Sequence, residues 1–274
     1  MSDAPTLATI PLTTALSMEV TARTDDAVTV RARVHDGFDV HGIPHGGYLA
    51  AIAARSVLLA AGQPDLFTVT VHFMRKATMG PMDLEVVRVG GSRRFATWRA
   101  TATQDGQAVL TALCSVGDRT DLDGPGWTDA PAWDPAATPL SPPAGHPDLP
   151  FAAPAVASQF GLRLALDDTG FVLGQRSDTA RLRAVLDTDE PDQLAAIVAC
   201  DVTPPAAWNP LGREGWVPTI ELTVHVRARP APGPLAVDVT THHVTDGFLD
   251  EDAVVHDATG RLVAQSRQLA RWTA

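Results

Sequence analysis

A stretch of sequence that returns once, in the same order and at nearly fixed spacing, constrains this chain more than any other feature. Leu49-Ala50-Ala51-Ile52-Ala53-Ala54-Arg55-Ser56 corresponds to Leu194-Ala195-Ala196-Ile197-Val198-Ala199-Cys200-Asp201 at an offset of 145 residues. Thr70-Val71-His72 then corresponds to Thr223-Val224-His225 at 153, and Gly80-Pro81 to Gly233-Pro234 at 153 again. The turn at Asp105-Gly106 has its counterpart near Thr259-Gly260. Ordered matches with one jump in offset imply a duplicated unit, the second copy carrying about eight extra residues after its helix, within 204–216.

What separates the copies is equally legible. Residues 118–150 hold prolines at 125, 131, 135, 139, 142, 143, 147 and 150. Missing amide donors and fixed φ angles at that density exclude a helix interior or a central strand, so the segment reads as a linker. It divides the chain into an N-terminal unit, 1–117, and a C-terminal unit, 151–274, each the size of a small domain.

Periodicity fills in each unit. Residues 28–34, Val-Thr-Val-Arg-Ala-Arg-Val, alternate apolar and polar, the mark of a half-buried strand. Gly46-Gly47-Tyr48 opens an Ala- and Leu-rich run through Ala61, closed by Gly62 and Pro64 and apolar nearly all round, as a helix buried inside its own domain would be. Four strand-like segments follow at 67–75, 82–89, 94–104 and 107–116, separated by Gly-Pro, Gly-Gly and Asp-Gly turns. The second unit repeats the order between 180 and 271.

Composition narrows the function classes. Thirty-two acidic residues against twenty-one basic ones give a formal charge of −11, which argues against a nucleic-acid binder or an anionic-membrane protein. Two cysteines, Cys114 and Cys200, make neither a disulfide framework nor a four-ligand zinc site and suit a reducing compartment. The start, Met1-Ser2-Asp3-Ala4-Pro5, has no basic region leading into an apolar run, and no stretch reaches the ~18 apolar residues of a membrane span. The expectation is a cytoplasmic protein that binds neither nucleic acid nor membrane.

One long apolar helix followed by an antiparallel sheet large enough to wrap it resembles the hotdog fold, and two such units in one chain resemble a double hotdog, an α+β architecture. His45-Gly46-Gly47-Tyr48-Leu49, Thr70-Val71-His72-Phe73-Met74-Arg75, Ala199-Cys200-Asp201, Pro218-Thr219-Ile220-Glu221 and Gly260-Arg261-Leu262-Val263-Ala264 through Gln268 together resemble the acyl-CoA thioesterase II family. The resemblance implies hydrolysis of acyl-CoA thioesters without metal or cofactor, by an Asp, a Thr and a Gln that hold the attacking water. By motif these fall on Asp201, Thr219 and Gln268. Gln265, three residues before Gln268, belongs to the opposite face of the same strand, and the ungapped match from Gly260 favours Gln268.

The chemistry suits those residue types. Asp201 can take the water's proton, and burial beside an apolar helix raises a carboxyl's pKa toward working pH. Thr219 and Gln268 offer hydroxyl and amide groups that orient a water. The amides of Gly46 and Gly47 open a helix, where they lack intrahelical partners and sit at the positive end of its dipole, so they suit an oxyanion hole. His45 and Tyr48 flank them as substrate-binding candidates. His72 and His225 hold equivalent strand positions, which suggests a repeated packing role, and Cys200 reads as a buried, inert thiol. Arg93-Arg94 and Arg227-Arg229 are candidates for the CoA phosphates. Asp36 and His41, five apart before a helix, keep open an enoyl-CoA hydratase of the same fold, although that motif's Asn-Pro is missing; a non-catalytic acyl-CoA-binding protein is the third reading. Exposed sheet faces leave a homodimer of such chains open.

Overall fold

His45 and Gly62 mark the ends of the central helix as their chemistry dictates. The His45 side chain accepts from the Tyr48 amide through Nδ1, and Gly62, at φ 60°, takes the left-handed conformation that closes helices, its N–H donating to the Leu58 carbonyl. Between them runs α2 (Gly46–Ala61), with twelve of its sixteen residues buried. The computed structural model describes residues 10–273 apart from Arg93, Asp121, Asp123, Pro131, Pro150, Phe151, Asp189 and Glu214. Met1-Ser2-Asp3-Ala4-Pro5 and Arg93 therefore lie outside the described residues.

Ahead of α2 come α1 (Leu12–Ala15), β1 (Met18–Arg23), β2 (Ala27–Val34) and the small hairpin β3 (Asp39–Val40) with β4 (Ile43–Pro44); after it come β5 (Asp65–Phe73), β6 (Gly80–Gly91), β7 (Phe95–Gln104) and β8 (Gln107–Gly117). The C-terminal part holds α3 (Ala155–Gln159), β9 (Arg163–Leu164), β10 (Arg181–Leu186), α4 (Gln193–Ala199), α5 (Trp208–Leu211), β11 (Thr219–Val226), β12 (Leu235–Thr240), β13 (Val244–Thr245), β14 (Phe248–His256) and β15 (Leu262–Arg271).

One antiparallel sheet in the order β1-β2-β6-β7-β8-β5-β11-β15-β14-β12-β10-β9 joins both copies, with β13 on β14. The order is mirrored about the β5/β11 seam, where Thr70 pairs with its own counterpart, Thr223, and their hydroxyls lie 3.0 Å apart. The duplication therefore appears as a pseudo-two-fold axis through two threonines. Val69, Val71, Leu84, Val86, Ala100 and Ala112 turn inward onto α2 with essentially no exposure, which is the double hotdog that the sequence resembles. Thin, Ala-rich helices let the sheet close on them.

Two expectations need correction. The second copy's helix is not long: α4 runs seven residues, because Pro204-Pro205 lack amide protons and bar helical geometry at the preceding Thr203. The extra residues of 204–216 form a loop and the short α5. His72 and His225 have no packing role, since both are exposed on the outer face of the seam. Within 118–150, the described residues hold a 3-10 turn, Pro135–Ala137, and one bridge, Leu140 to Ala165. Ser141 and Ala144 bond to Leu164 and Leu162, so this segment lies along the C-terminal unit rather than hanging free. Among the described residues no helix is long and apolar enough to cross a membrane.

Candidate active site

Asp201 stands just beyond α4, where that helix meets the first turn of α2. Its amide donates to the Val198 carbonyl, 3.1 Å away, which tightens the last turn and aims the side chain at the opposing helix. Oδ2 accepts from the Gly47 amide at 2.6 Å and lies 3.3 Å from His45 Nε2. His45 bridges the two copies. With Nδ1 accepting from Tyr48, its ring proton sits on Nε2 and is donated to the Asp201 carbonyl oxygen at 2.8 Å. Glycine is required at this contact: a Cβ on Gly46 would sit 2.8 Å from Asp201 Oδ2, and one on Gly47 would sit 2.9 Å from Asp201 Cβ and 3.1 Å from the Val198 carbonyl oxygen.

Thr219 opens β11 beside a bulge, and Gln268 on β15 pairs with Leu222 two positions past that bulge, so Thr219 approaches the Asp201 carboxylate from the sheet and Gln268 meets Thr219. The Thr219 hydroxyl donates to Gln268 Oε1 at 2.9 Å and is 3.5 Å from Asp201 Oδ1. Gln268 Nε2 in turn donates to Glu251 Oε2 at 2.5 Å, and the Ala206 amide donates to Glu251 Oε1 at 2.7 Å. Asp201, Thr219 and Gln268 are thus brought together, while Gln265 faces outward to Arg227.

Electrostatics follow from burial. Burial of most of its side chain raises the Asp201 carboxyl above the ordinary aspartate range, despite the opposing pull of His45, the Gly47 amide and Thr219. Burial likewise pushes Glu251 up to about 7. Cys200 is raised to about 12 by the same cause, so it stays a thiol, consistent with an inert role. Glu251 is the residue that sequence reasoning missed. The signal was present: Leu249, Glu251, Ala253 and Val255 alternate onto the buried face of β14, so period two placed an acid among core positions.

Asp201, Thr219, Gln268, Glu251, His45 and Gly46 line one cavity of about 810 Å³, otherwise walled largely by apolar side chains such as Phe73, Leu164, Phe171, Val202 and Trp208. Several nominated residues behave differently from expectation. Tyr48 is fully buried away from the cavity, stacked on Phe38 and donating to the Ala15 carbonyl at 2.9 Å, so it is a core residue and not a substrate contact. The Gly47 amide is engaged by Asp201 and cannot also face a substrate oxygen; Gly46, the first helical residue, keeps an amide with no intrahelical acceptor and lines the cavity. Arg229 is held by Asp65 at 2.6 Å, and Arg227 and Arg94 lie outside the cavity lining; Arg75, Lys76 and Arg213 line it instead. Asp36 is exposed and outside the lining, whereas His41 is within it, so the hydratase pair is not assembled there.

Residues 34–117 match the acyl-CoA thioesterase N-terminal domain and residues 128–271 the acyl-CoA thioesterase C-terminal domain. An uncharacterised protein of Mycobacterium bovis is 30% identical over 247 residues, 82% of this chain and 84% of that one. A candidate thioesterase II of Thermobifida fusca superposes with a TM-score of 0.79 at 28% identity, over 97% of this chain and 100% of that one. At the level of fold alone, a hot dog protein of Alicyclobacillus acidocaldarius gives 0.80 at 21% identity, over 97% and 99% of the two chains. The acyl-CoA thioesterase II of Mycobacterium marinum gives 0.64 at 18%, over 94% and 96%.

Proposed function

This chain belongs to the acyl-CoA thioesterase family, and from that premise we propose that it hydrolyses acyl-CoA thioesters with a water held by Asp201, Thr219 and Gln268. The observation that carries the reading is the Asp201 carboxylate, buried yet lining an apolar cavity, with Oδ2 fixed by the Gly47 amide and Oδ1 left toward Thr219. Because the Thr219 proton goes to Gln268, the Thr219 oxygen keeps lone pairs for a water, and Asp201 Oδ1 keeps one for that water's proton.

The steps follow from that geometry. Asp201 removes a proton as the water oxygen adds to the thioester carbonyl carbon. The oxygen left negative is stabilised by the Gly46 amide at the positive end of α2. The C–S bond then breaks, the acid departs, and the CoA thiolate recovers the proton from Asp201. The acyl chain occupies the apolar cavity, and the exposed Arg75 and Lys76 at its edge give a polyanionic CoA a cationic landing place on an acidic protein.

Incubation with acyl-CoAs of graded chain length and a thiol-trapping dye is expected to release CoA, and Asp201→Asn to lower kcat by about 10²–10⁴-fold with the fold retained. No CoA release above background at any chain length overturns the reading. Crotonyl-CoA losing its enoyl absorbance without thiol release would replace it with hydration.

A further inference from the structure

The buried Glu251 takes no part in the steps above, yet it touches the group that orders the water. The Ala206 amide, fixed by the backbone, occupies Glu251 Oε1, so only Oε2 remains for Gln268. An ionised Oε2 can only accept, which draws the Gln268 NH2 group to it and leaves Gln268 Oε1 to receive the Thr219 proton. A protonated Oε2 is a donor instead. Its favourable partner is then Gln268 Oε1, and meeting it requires the amide to turn over and present NH2 to Thr219. The Thr219 hydroxyl is then driven to donate to Asp201 Oδ1, the lone pair the water needs.

We propose that Glu251 is a positioning residue whose ionisation sets the orientation of the Gln268 amide and, through Thr219, the access of water to Asp201; the catalytic consequence rests on the thioesterase reading of that site. The charged groups acting on Glu251 are Asp201 across the cavity and Asp250 on its own strand, both carboxylates that favour its neutral form. Arg267, next to Gln268, is exposed and paired with Asp252, and His45 reaches Asp201 rather than Glu251. Burial leads these influences, and with the carboxyl at about 7 the two orientations exchange close to neutral pH.

Glu251→Gln separates the alternatives. Its carbonyl oxygen must face the Ala206 amide, so its NH2 faces Gln268 and locks the turned-over orientation at every pH. In ¹⁵N-labelled wild-type protein, the Gln268 side-chain amide signals, identified by their loss in Gln268→Ala, are expected to move with a midpoint near neutrality; in Glu251→Gln they stay fixed. Acyl-CoA turnover is expected to fall at least about tenfold in Glu251→Gln and to lose one of the two ionisations on the acid side of its pH profile. Amide signals unmoved between about pH 5 and 9, or moving alike in both proteins, overturn the proposal. A wild-type protein that turns over no acyl-CoA while its amide titrates instead overturns the thioesterase reading alone.

Discussion

The two copies share a scaffold and differ at the four positions of the proposed site. Glu251 lies 153 residues after Trp98, the same displacement that separates Thr223 from Thr70, and by the same strand pairings Gln268 corresponds to Cys114 and Thr219 to Leu66. Asp201 corresponds to Ser56, whose hydroxyl only caps a turn of its own helix by donating to the Ala53 carbonyl. Even the bulge is duplicated, after Leu66 in one copy and after Thr219 in the other. A Ser/Leu/Cys/Trp set fills space; an Asp/Thr/Gln/Glu set holds polar groups in position. The helix starts differ in the same sense. Gly47 gives its amide to the other copy's carboxylate, whereas its counterpart Asp192 accepts from the Leu194 and Ala195 amides and satisfies α4 locally. Both copies build the sheet, and the proposed site draws on both: α2 from the first copy supplies the amides and the second supplies the carboxylate.

Exchanging counterparts tests that division. Asp201→Ser imports the residue of the first copy and should cost about 10²–10⁴-fold in kcat, read by thiol release, with the fold kept because Ser56 occupies the same place in that copy. The reverse change, Ser56→Asp, buries a carboxylate among apolar groups without the Gly47 and His45 partners. It should lower stability by roughly 3 kcal/mol in urea unfolding and add no activity. A gain of turnover would mean that the first copy holds a latent site.

Glu251 against Trp98 predicts a difference in pH response. A carboxyl whose pKa rises from 4.5 to about 7 on folding binds more protons in the native state, so its contribution to stability is complete below about 4.5 and is lost as pH rises through about 7. Thermal denaturation should therefore show the wild type weakening relative to Glu251→Gln across that window, by roughly 3 kcal/mol at most. Parallel curves would mean that the carboxyl is not buried in solution.

Much of this was written in the chain. The bounds of α2 follow from Gly46-Gly47 and Gly62, the strands from alternation and Gly-containing turns, and the grouping of Asp201, Thr219 and Gln268 from the family resemblance of motifs in order. What was not legible is tertiary. Tyr48 lies two residues after Gly46, which lines the cavity, but the 100° step per helical residue turns it into the core against Phe38. The loss of the Gly47 amide to Asp201 depends on how closely α4 approaches α2, which no local pattern encodes. Glu251 hid within Asp250-Glu251-Asp252, a run that reads as solvated until alternation separates its middle member from the other two.

The smallest expected effects come from the helix starts, and they separate the copies most cleanly. Gly47→Ala forces a Cβ against Asp201 Cβ and a backbone carbonyl, so it should cost about 1–3 kcal/mol of stability and, by displacing the carboxylate, at least tenfold in kcat. Asp192→Ala removes a side chain that caps two amides of α4 and touches nothing at the cavity. The expected loss is about 1 kcal/mol in stability with kcat and KM unchanged. If Asp192→Ala instead lowered kcat as Gly47→Ala does, the seven residues of α4 would be transmitting a shift at their N-terminus to Asp201 at their other end. The site would then depend on the placement of α4 as a whole and not only on the glycine contact that joins the two helices.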